Sequence, residues 1–163
     1  GALRYTLFYL SKIVGGSREA LGVLPQGTAM ANALYAKGKE KILSAAVNFA
    51  ADTIKVALVK NTYPQNLADD EFFTAISAYV VGTPQTLATK TVAAGVFDAA
   101  DALFEAVASG DTLEGVVIYK DTGVAGTSAL LAYIDTITGF PLATNGSDIT
   151  IQWSNGAYRI FTL

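Results

Sequence analysis

Short apolar segments alternate with polar positions along most of the chain, and Gly, Asp, Asn and Thr separate them. The clearest is Ile54–Lys60, where Ile54, Val56 and Leu58 fall on one side of a predicted strand. The other predicted strand segments are residues 79–81, 86–93, 96–100, 101–107, 115–120, 129–135, 148–153 and 157–163. Many short strands spaced by turn residues favour a sandwich or barrel over an alternating α/β fold.

Two details refine this pattern. Strand 79–81 is expected to stop at Gly82 and Pro84, because both residues disfavour a strand interior. Ser154-Asn155-Gly156 lies between the last two segments, and Asn-Gly is the strongest short-range hairpin signal. We therefore expect strands 148–153 and 157–163 to pair as a hairpin.

Helical spacing occurs at two places. Residues 34–46 place Leu34, Ile42 and the Ala45-Ala46 pair near one face and the lysines on another, although Gly38 weakens this helix by about 1 kcal/mol relative to Ala. Residues 71–76 form a second, short predicted helix, capped by Asp69 or Asp70. The predicted fold class is mainly β: an antiparallel β-sandwich, jelly-roll-like, with one or two short helices.

The chain divides into two parts. Residues 30–163 are predicted to form a single β-sandwich domain, and residues 1–29 to be an N-terminal arm that docks on a neighbour or an upstream extension. We favour the extension, with Met30 as the natural start, because residues 22–28 have the composition of a linker.

Composition and charge limit the classes of partner that the chain is expected to bind. The chain is 52% hydrophobic and only 15% charged, against a typical charged share of ~25%, which indicates that part of the surface is covered in an oligomer or assembly. Residues 1–60 carry eight basic and three acidic residues, whereas residues 61–163 carry three basic and eleven acidic residues. Such an acidic body repels phosphate, so we expect no direct nucleic-acid binding. No apolar run reaches the ~18–20 residues of a membrane span, and we expect no membrane partner.

The sequence offers little catalytic chemistry, because it contains no histidine and no cysteine. Asp121-Thr122-Gly123 resembles the aspartic protease triplet, but that enzyme needs two carboxylates and no second triplet occurs. We interpret it as a turn. We predict a protein that is not an enzyme, with no catalytic residue, no cofactor and no metal.

Two further groups have a functional and a structural interpretation. Five acidic residues lie close together in the sequence: Asp98, Asp101, Glu105, Asp111 and Glu114. They could supply a calcium site or a glycosidase carboxylate pair, but no regular ligand spacing is present, so we interpret them as a solvated face. Trp153, Tyr158 and Phe161 could form a sugar-stacking platform, although an aromatic trio in a terminal hairpin is more often core.

The order of six segments resembles a group of small structural proteins of tailed-phage virions. These segments are Met30-Ala-Asn-Ala-Leu-Tyr-Ala-Lys-Gly-Lys, Asp52-Thr-Ile-Lys-Val-Ala-Leu-Val, Ala94-Gly-Val-Phe-Asp-Ala-Ala-Asp, Val117-Ile-Tyr-Lys-Asp-Thr-Gly, Leu131-Ala-Tyr-Ile-Asp and Ile151-Gln-Trp-Ser-Asn-Gly. The resemblance covers residues 30–163 and leaves residues 1–29 outside it.

The resemblance implies a non-enzymatic virion component, made in the host cytoplasm and located on the phage head. A decoration or cement protein would bridge and stabilise major capsid protein subunits and would form a homo-oligomer, a dimer or a trimer. Two alternatives stay open at this point: a tail, neck or baseplate component, and a carbohydrate-binding receptor module of the particle.

Overall fold

The computed structural model describes residues 32–157 and 159–163, so the predicted arm or extension, residues 1–29, lies outside the described residues. In chain order the elements are β1 (Ala33–Leu34), α1 (Ala36–Leu43), β2 (Ile54–Lys60), two 3-10 helices (Phe73–Ala75 and Ser77–Tyr79), β3 (Val80–Thr86), β4 (Thr91–Ala93), β5 (Val96–Asp98), β6 (Ala102–Phe104), β7 (Thr112–Lys120), β8 (Leu130–Ile134), β9 (Leu142–Ala143), β10 (Ile149–Ile151) and β11 (Phe161–Thr162).

The strands form one large and two small sheets, and every paired strand is antiparallel. The central sheet has the order β1-β8-β7-β2-β3, with β9 paired to the start of β7. The small sheets have the orders β10-β6 and β11-β5-β4. The prediction of a mainly β, antiparallel, sandwich-like fold is confirmed, while its jelly-roll part stays a prediction.

Both faces of the central sheet are buried, which makes β2 and β7 the centre of the molecule. Ile54, Val56 and Leu58 point to one face, as predicted, and pack with residues of the small sheets such as Phe97 and Phe104. Alternate positions of the same two strands point to the opposite face and pack with Tyr35, the 3-10 helices and the 61–72 segment; these are Ala57, Val59, Val117 and Tyr119. Burial on two faces explains the unbroken apolar runs of these strands.

The structure corrects the predicted end of the strand at 79–81. Strand β3 continues from Val80 through Pro84 to Thr86, and its register against β2 shifts between Val56 and Leu58. Pro84 is tolerated because β3 is the last strand of the central sheet, where one side needs no hydrogen-bond donor.

The structure also contradicts the predicted hairpin at Asn155-Gly156. Strand β10 pairs with β6, whereas β11 pairs with β5, so the two segments belong to different sheets. A tight hairpin instead joins β4 to β5 through Ala94 and Gly95, which have φ angles of +50° and +77°. Positive φ at both turn positions is what a two-residue type I′ turn requires.

The predicted helices are present but shorter. Helix α1 ends at Leu43, and Ala45 already has a φ of +58°. The second is a single 3-10 turn, Phe73–Ala75, with no side-chain cap. The predicted cap by Asp69 or Asp70 is wrong. The Asp69 carboxylate accepts a hydrogen bond from the Asn66 side chain instead, and the Asp70 carboxylate accepts from Tyr63 and from the Asn66 backbone.

Gly38 is the buried residue through which α1 touches the central sheet. A Cβ atom at this position would lie 2.6 Å from the Leu130 carbonyl oxygen and 3.0 Å from the Leu131 Cα. Backbone cannot move aside as a flexible side chain can. Glycine therefore allows a close helix-to-strand approach that its low helix propensity alone would not suggest.

We predict that Gly38→Ala destabilises the protein, although alanine favours an isolated helix by about 1 kcal/mol. The steric conflict with β8 should outweigh that gain and lower the free energy of unfolding by about 1–3 kcal/mol. Urea unfolding measures the effect, and Lys39→Ala on the exposed side of α1 serves as the control. A Gly38→Ala protein as stable as that control would contradict the close approach.

Candidate interaction surface

The acidic residues singled out in the sequence do not converge on one point. Asp98 faces Arg159 at 3.6 Å, Asp111 faces Lys60 at 3.3 Å, and Asp101 accepts a hydrogen bond from the Trp153 backbone N–H. Within residues 32–157 and 159–163, no group of three or more His, Cys, Asp or Glu side chains is arranged to hold a metal ion. Asp98 and Asp111 each connect a strand to a loop, and Asp101 connects two loops.

The Asp121-Thr122-Gly123 triplet is a turn, as predicted. The Asp121 carboxylate accepts the Gly123 N–H at 3.0 Å, pairs with Lys55 Nζ at 2.6 Å, and lies 3.3 Å from the buried Ser128 hydroxyl. The hydrogen bond from Lys55 and that from the Gly123 backbone keep the pKa of Asp121 below its ordinary value. A carboxylate held ionised in this way stabilises the turn after β7.

A chain of hydrogen bonds on the second face of the sheet had no signal in the sequence. The Tyr63 hydroxyl donates to Asp70 Oδ2 at 2.6 Å and therefore accepts from the Tyr35 hydroxyl at 2.9 Å. Burial raises the pKa of both phenols well above the ordinary value. Both hydroxyl groups thus stay protonated at neutral pH. The two hydrogen bonds hold the 61–72 segment against the sheet.

The aromatic trio is divided between the core and a region that is not described. The Trp153 indole N–H donates to the Ala100 carbonyl at 3.0 Å, and its ring packs against the core. The Phe161 ring lies 5.4 Å from those of Phe49 and Phe97. Tyr158 lies outside the described residues. For Trp153 and Phe161 the structure supports the core interpretation.

An open strand edge is the most distinctive surface feature. Strand β4 ends its sheet, and all three of its residues are exposed. Because Ala93 and Val96 close the two-residue turn as a hydrogen-bonded pair, the N–H and C=O groups of Val92 point away from β5. Val92 is 54% exposed, and no strand among the described residues pairs with this side of β4. We call β4 with its neighbouring turn, residues 91–95, the β4 edge.

Charge gives the described surface an acidic character. Residues 32–157 and 159–163 carry eight basic and thirteen acidic side chains. Six of these eight cations are held in ion pairs, while several carboxylates have no cation beside them in the described part of the chain. A partner with a basic surface would be attracted to this body.

Comparison with known proteins assigns this chain to no family. The chain matches no protein-family model, and no curated protein sequence is significantly similar to it. None of the described helices is long and apolar enough to cross a membrane.

We predict that Tyr63→Phe is more harmful than Tyr35→Phe. Loss of the Tyr63 hydroxyl leaves the buried Tyr35 hydroxyl without its acceptor, at a cost of about 1–3 kcal/mol, whereas Tyr35→Phe leaves the bond to Asp70 intact and costs about 0.5–1.5 kcal/mol. Urea unfolding of both variants tests the order. Equal losses would show that the two hydroxyls are not linked in one chain.

We predict a loss of stability in alkaline solution. Burial raises the pKa of Tyr119 and of Tyr133 from 10.0 to about 12. The unfolded chain releases these protons first, so the contribution of Tyr119 and Tyr133 is complete below pH 10 and is lost between pH 10 and 12. Unfolding free energy measured against pH should fall less steeply in Tyr119→Phe. An unchanged slope in that variant would contradict the raised pKa of Tyr119.

Proposed function

We propose that the chain is a non-enzymatic structural protein of a tailed-phage virion. More specifically, we propose a head decoration or cement protein, which bridges and stabilises major capsid protein subunits and associates as a dimer or trimer. The β4 edge is the observation that carries this proposal. The resemblance of residues 30–163 to small virion proteins supplies the kind of particle.

A strand edge of this kind suits attachment to another protein. An added strand gains main-chain hydrogen bonds from the outward N–H and C=O groups of Val92, and its side chains meet the exposed Val92 side chain. Natural proteins protect such edges with charge, proline or a covering element, because an open edge otherwise recruits other strands. The residues of β4 are Thr91, Val92 and Ala93, so this edge is short but contains neither a charged residue nor a proline.

The body behind this edge is suited to transmitting load. Phe97 on β5 is 2% exposed and packs against Phe49 and Phe161, so the small sheet is anchored in the main core. Interiors packed in this way resist compression and transmit strain. A decoration protein needs this stiffness, since it restrains neighbouring capsid subunits that would otherwise move apart.

We predict that Val92→Lys reduces the occupancy of the protein on particles. A lysine at the centre of an edge strand opposes the addition of a neighbouring strand. Val124→Lys is the matched control, because Val124 is 60% exposed but lies in the loop after β7. Copy number per particle and the temperature of genome release are measured for both variants.

Lower occupancy and a lower release temperature for Val92→Lys alone are expected. Full occupancy of both variants would contradict the role of the β4 edge. Unchanged stability of particles that lack the protein altogether would contradict cementing. A copy number of only a few per particle would favour the tail, neck or baseplate alternative.

The carbohydrate-binding alternative is supported by a different surface. A groove of about 490 Å³ is lined by Trp153 with polar neighbours that include Gln152, Thr138 and Arg159. Aromatic and polar side chains of this kind bind sugars in other proteins. Glycan binding that is lost in Gln152→Ala, with the fold retained, would favour this alternative over a decoration protein.

A further inference from the structure

Asparagine precedes glycine at two places in the chain, Asn145-Gly146 and Asn155-Gly156. The other four asparagines precede residues that carry a side chain; they are Asn32, Asn48, Asn61 and Asn66. Glycine leaves its own backbone nitrogen unhindered, so an Asn-Gly pair is where this nitrogen most readily attacks the preceding asparagine side chain. Both pairs are exposed. Sequence and exposure alone therefore do not distinguish them.

Backbone hydrogen bonds hold the first pair in place. The Gly146 N–H donates to the carbonyl of Val107 at 2.9 Å, and Val107 is buried. The Asn145 side-chain oxygen accepts the Ser147 N–H at 3.0 Å, which forms a local turn. The Gly146 nitrogen can lose its proton and attack only after its bond to Val107 opens, and such an opening costs free energy. The fold therefore protects Asn145.

The nitrogen of the second pair is restrained less. The Gly156 N–H donates to the Ser154 hydroxyl at 3.0 Å, which belongs to the same loop. Ser154 and Gly156 are both exposed, so water can replace this bond without any movement of the core. The Gly156 nitrogen is therefore available for reaction in the folded protein.

An arginine contacts the carbonyl group that would be attacked. Arg159 Nη1 donates to the Asn155 side-chain oxygen at 3.0 Å, and Asp98 on β5 lies 3.6 Å from Arg159 Nε. A charged donor stabilises the negative charge that develops on this oxygen when Cγ is attacked. At Asn145 the corresponding donor is an uncharged backbone N–H. The charged donor therefore favours reaction at Asn155 over reaction at Asn145.

We propose that Asn155 is a site of spontaneous modification, at which the Gly156 nitrogen forms a succinimide that becomes aspartate or isoaspartate. A bond forms between the Gly156 nitrogen and Asn155 Cγ, and the bond from Cγ to Nδ2 breaks. The proton of the Gly156 nitrogen leaves with Nδ2 as ammonia. Water then opens the ring at either of its two carbonyl carbons. Every step is acyl transfer, so water is the only co-reactant.

The product changes the surface beside the β4 edge. Asn155 lines a groove of about 420 Å³ together with Thr91 and Ala93 of β4. Modification adds a negative charge there and gives Arg159 a second carboxylate besides Asp98. Isoaspartate also lengthens the connection from β10 to β11 by a carbon atom. An effect on attachment through the β4 edge rests on the proposed function, whereas the modification itself does not.

Ageing of the purified full chain in mildly alkaline buffer tests the proposal. Fragmentation mass spectrometry of its peptides measures the conversion of Asn145 and of Asn155 separately. In the folded protein Asn155 should convert about tenfold or more faster than Asn145. In concentrated urea both pairs lose their tertiary contacts, and the two rates should agree within about twofold. Equal rates in the folded protein, faster conversion of Asn145, or conversion of Asn155 only in urea would overturn the proposal.

Two variants test the groups that carry the reaction. Arg159→Gln should slow the conversion of Asn155 several-fold, because the charged donor is lost, and should leave Asn145 unchanged. Gly156→Ala should slow it about tenfold or more, because a methyl group hinders the attacking nitrogen. Lys39→Gln, which removes a positive charge from the exposed side of α1, is the control and should change neither rate.

Each result for these variants decides one part of the proposal. An unchanged Asn155 rate in Gly156→Ala would show direct hydrolysis by water and overturn attack by the Gly156 nitrogen. An unchanged rate in Arg159→Gln would overturn the part assigned to Arg159. Unfolding of a variant is recognised because Asn145 then converts faster as well.

Discussion

The pairing of β2 with β7 is the interaction on which the rest of the structure depends. The two strands are in register from Ile54 opposite Lys120 to Val59 opposite Gly115, and a shift follows at Lys60. Because both faces of this pair are buried, it supports two apolar layers at once. Removing this strand pair would expose the small sheets on one side and the hydrogen-bonded Tyr35, Tyr63 and Asp70 on the other.

Ion pairs at the ends of these strands fix the connecting segments. Lys55 pairs with Asp121, Lys60 with Asp111 and Lys120 with Asp52. All six side chains are partly exposed, so each pair adds modest stability. Their main effect is to hold the turns at both ends of the sheet against a rigid centre, and that rigidity is what an assembly role requires.

The sequence predicted the parts of the fold that follow from local pattern. The strands at 54–60, 115–120 and 129–135 were identified because buried strands give apolar runs, and Asp121 was interpreted correctly because turn chemistry is local. The hairpin at Asn155-Gly156 was wrong because pairing is decided by distant strands. Gly38 was seen only as a weak point of a helix, since its contact with β8 comes from tertiary packing.

Sequence patterns could not predict the candidate surface either, because it also depends on contacts between residues that are distant in the sequence. Nothing local distinguishes Thr91–Ala93 as an edge strand. Hydrogen bonds likewise join Tyr35 to Tyr63 and Tyr63 to Asp70, although the spacing of these residues in the sequence does not indicate a contact. Edge status and hydrogen-bond chains belong to the assembled sheet order, and only the structure shows them.

The central claim is that this protein works as a stiff body that joins other chains through an unpaired strand edge. A reconstruction of the intact particle at side-chain resolution tests it most directly. The account predicts a strand of a neighbouring chain hydrogen-bonded to the backbone of Val92 at the β4 edge. A particle in which β4 faces solvent and the contacts lie elsewhere on the body would contradict it.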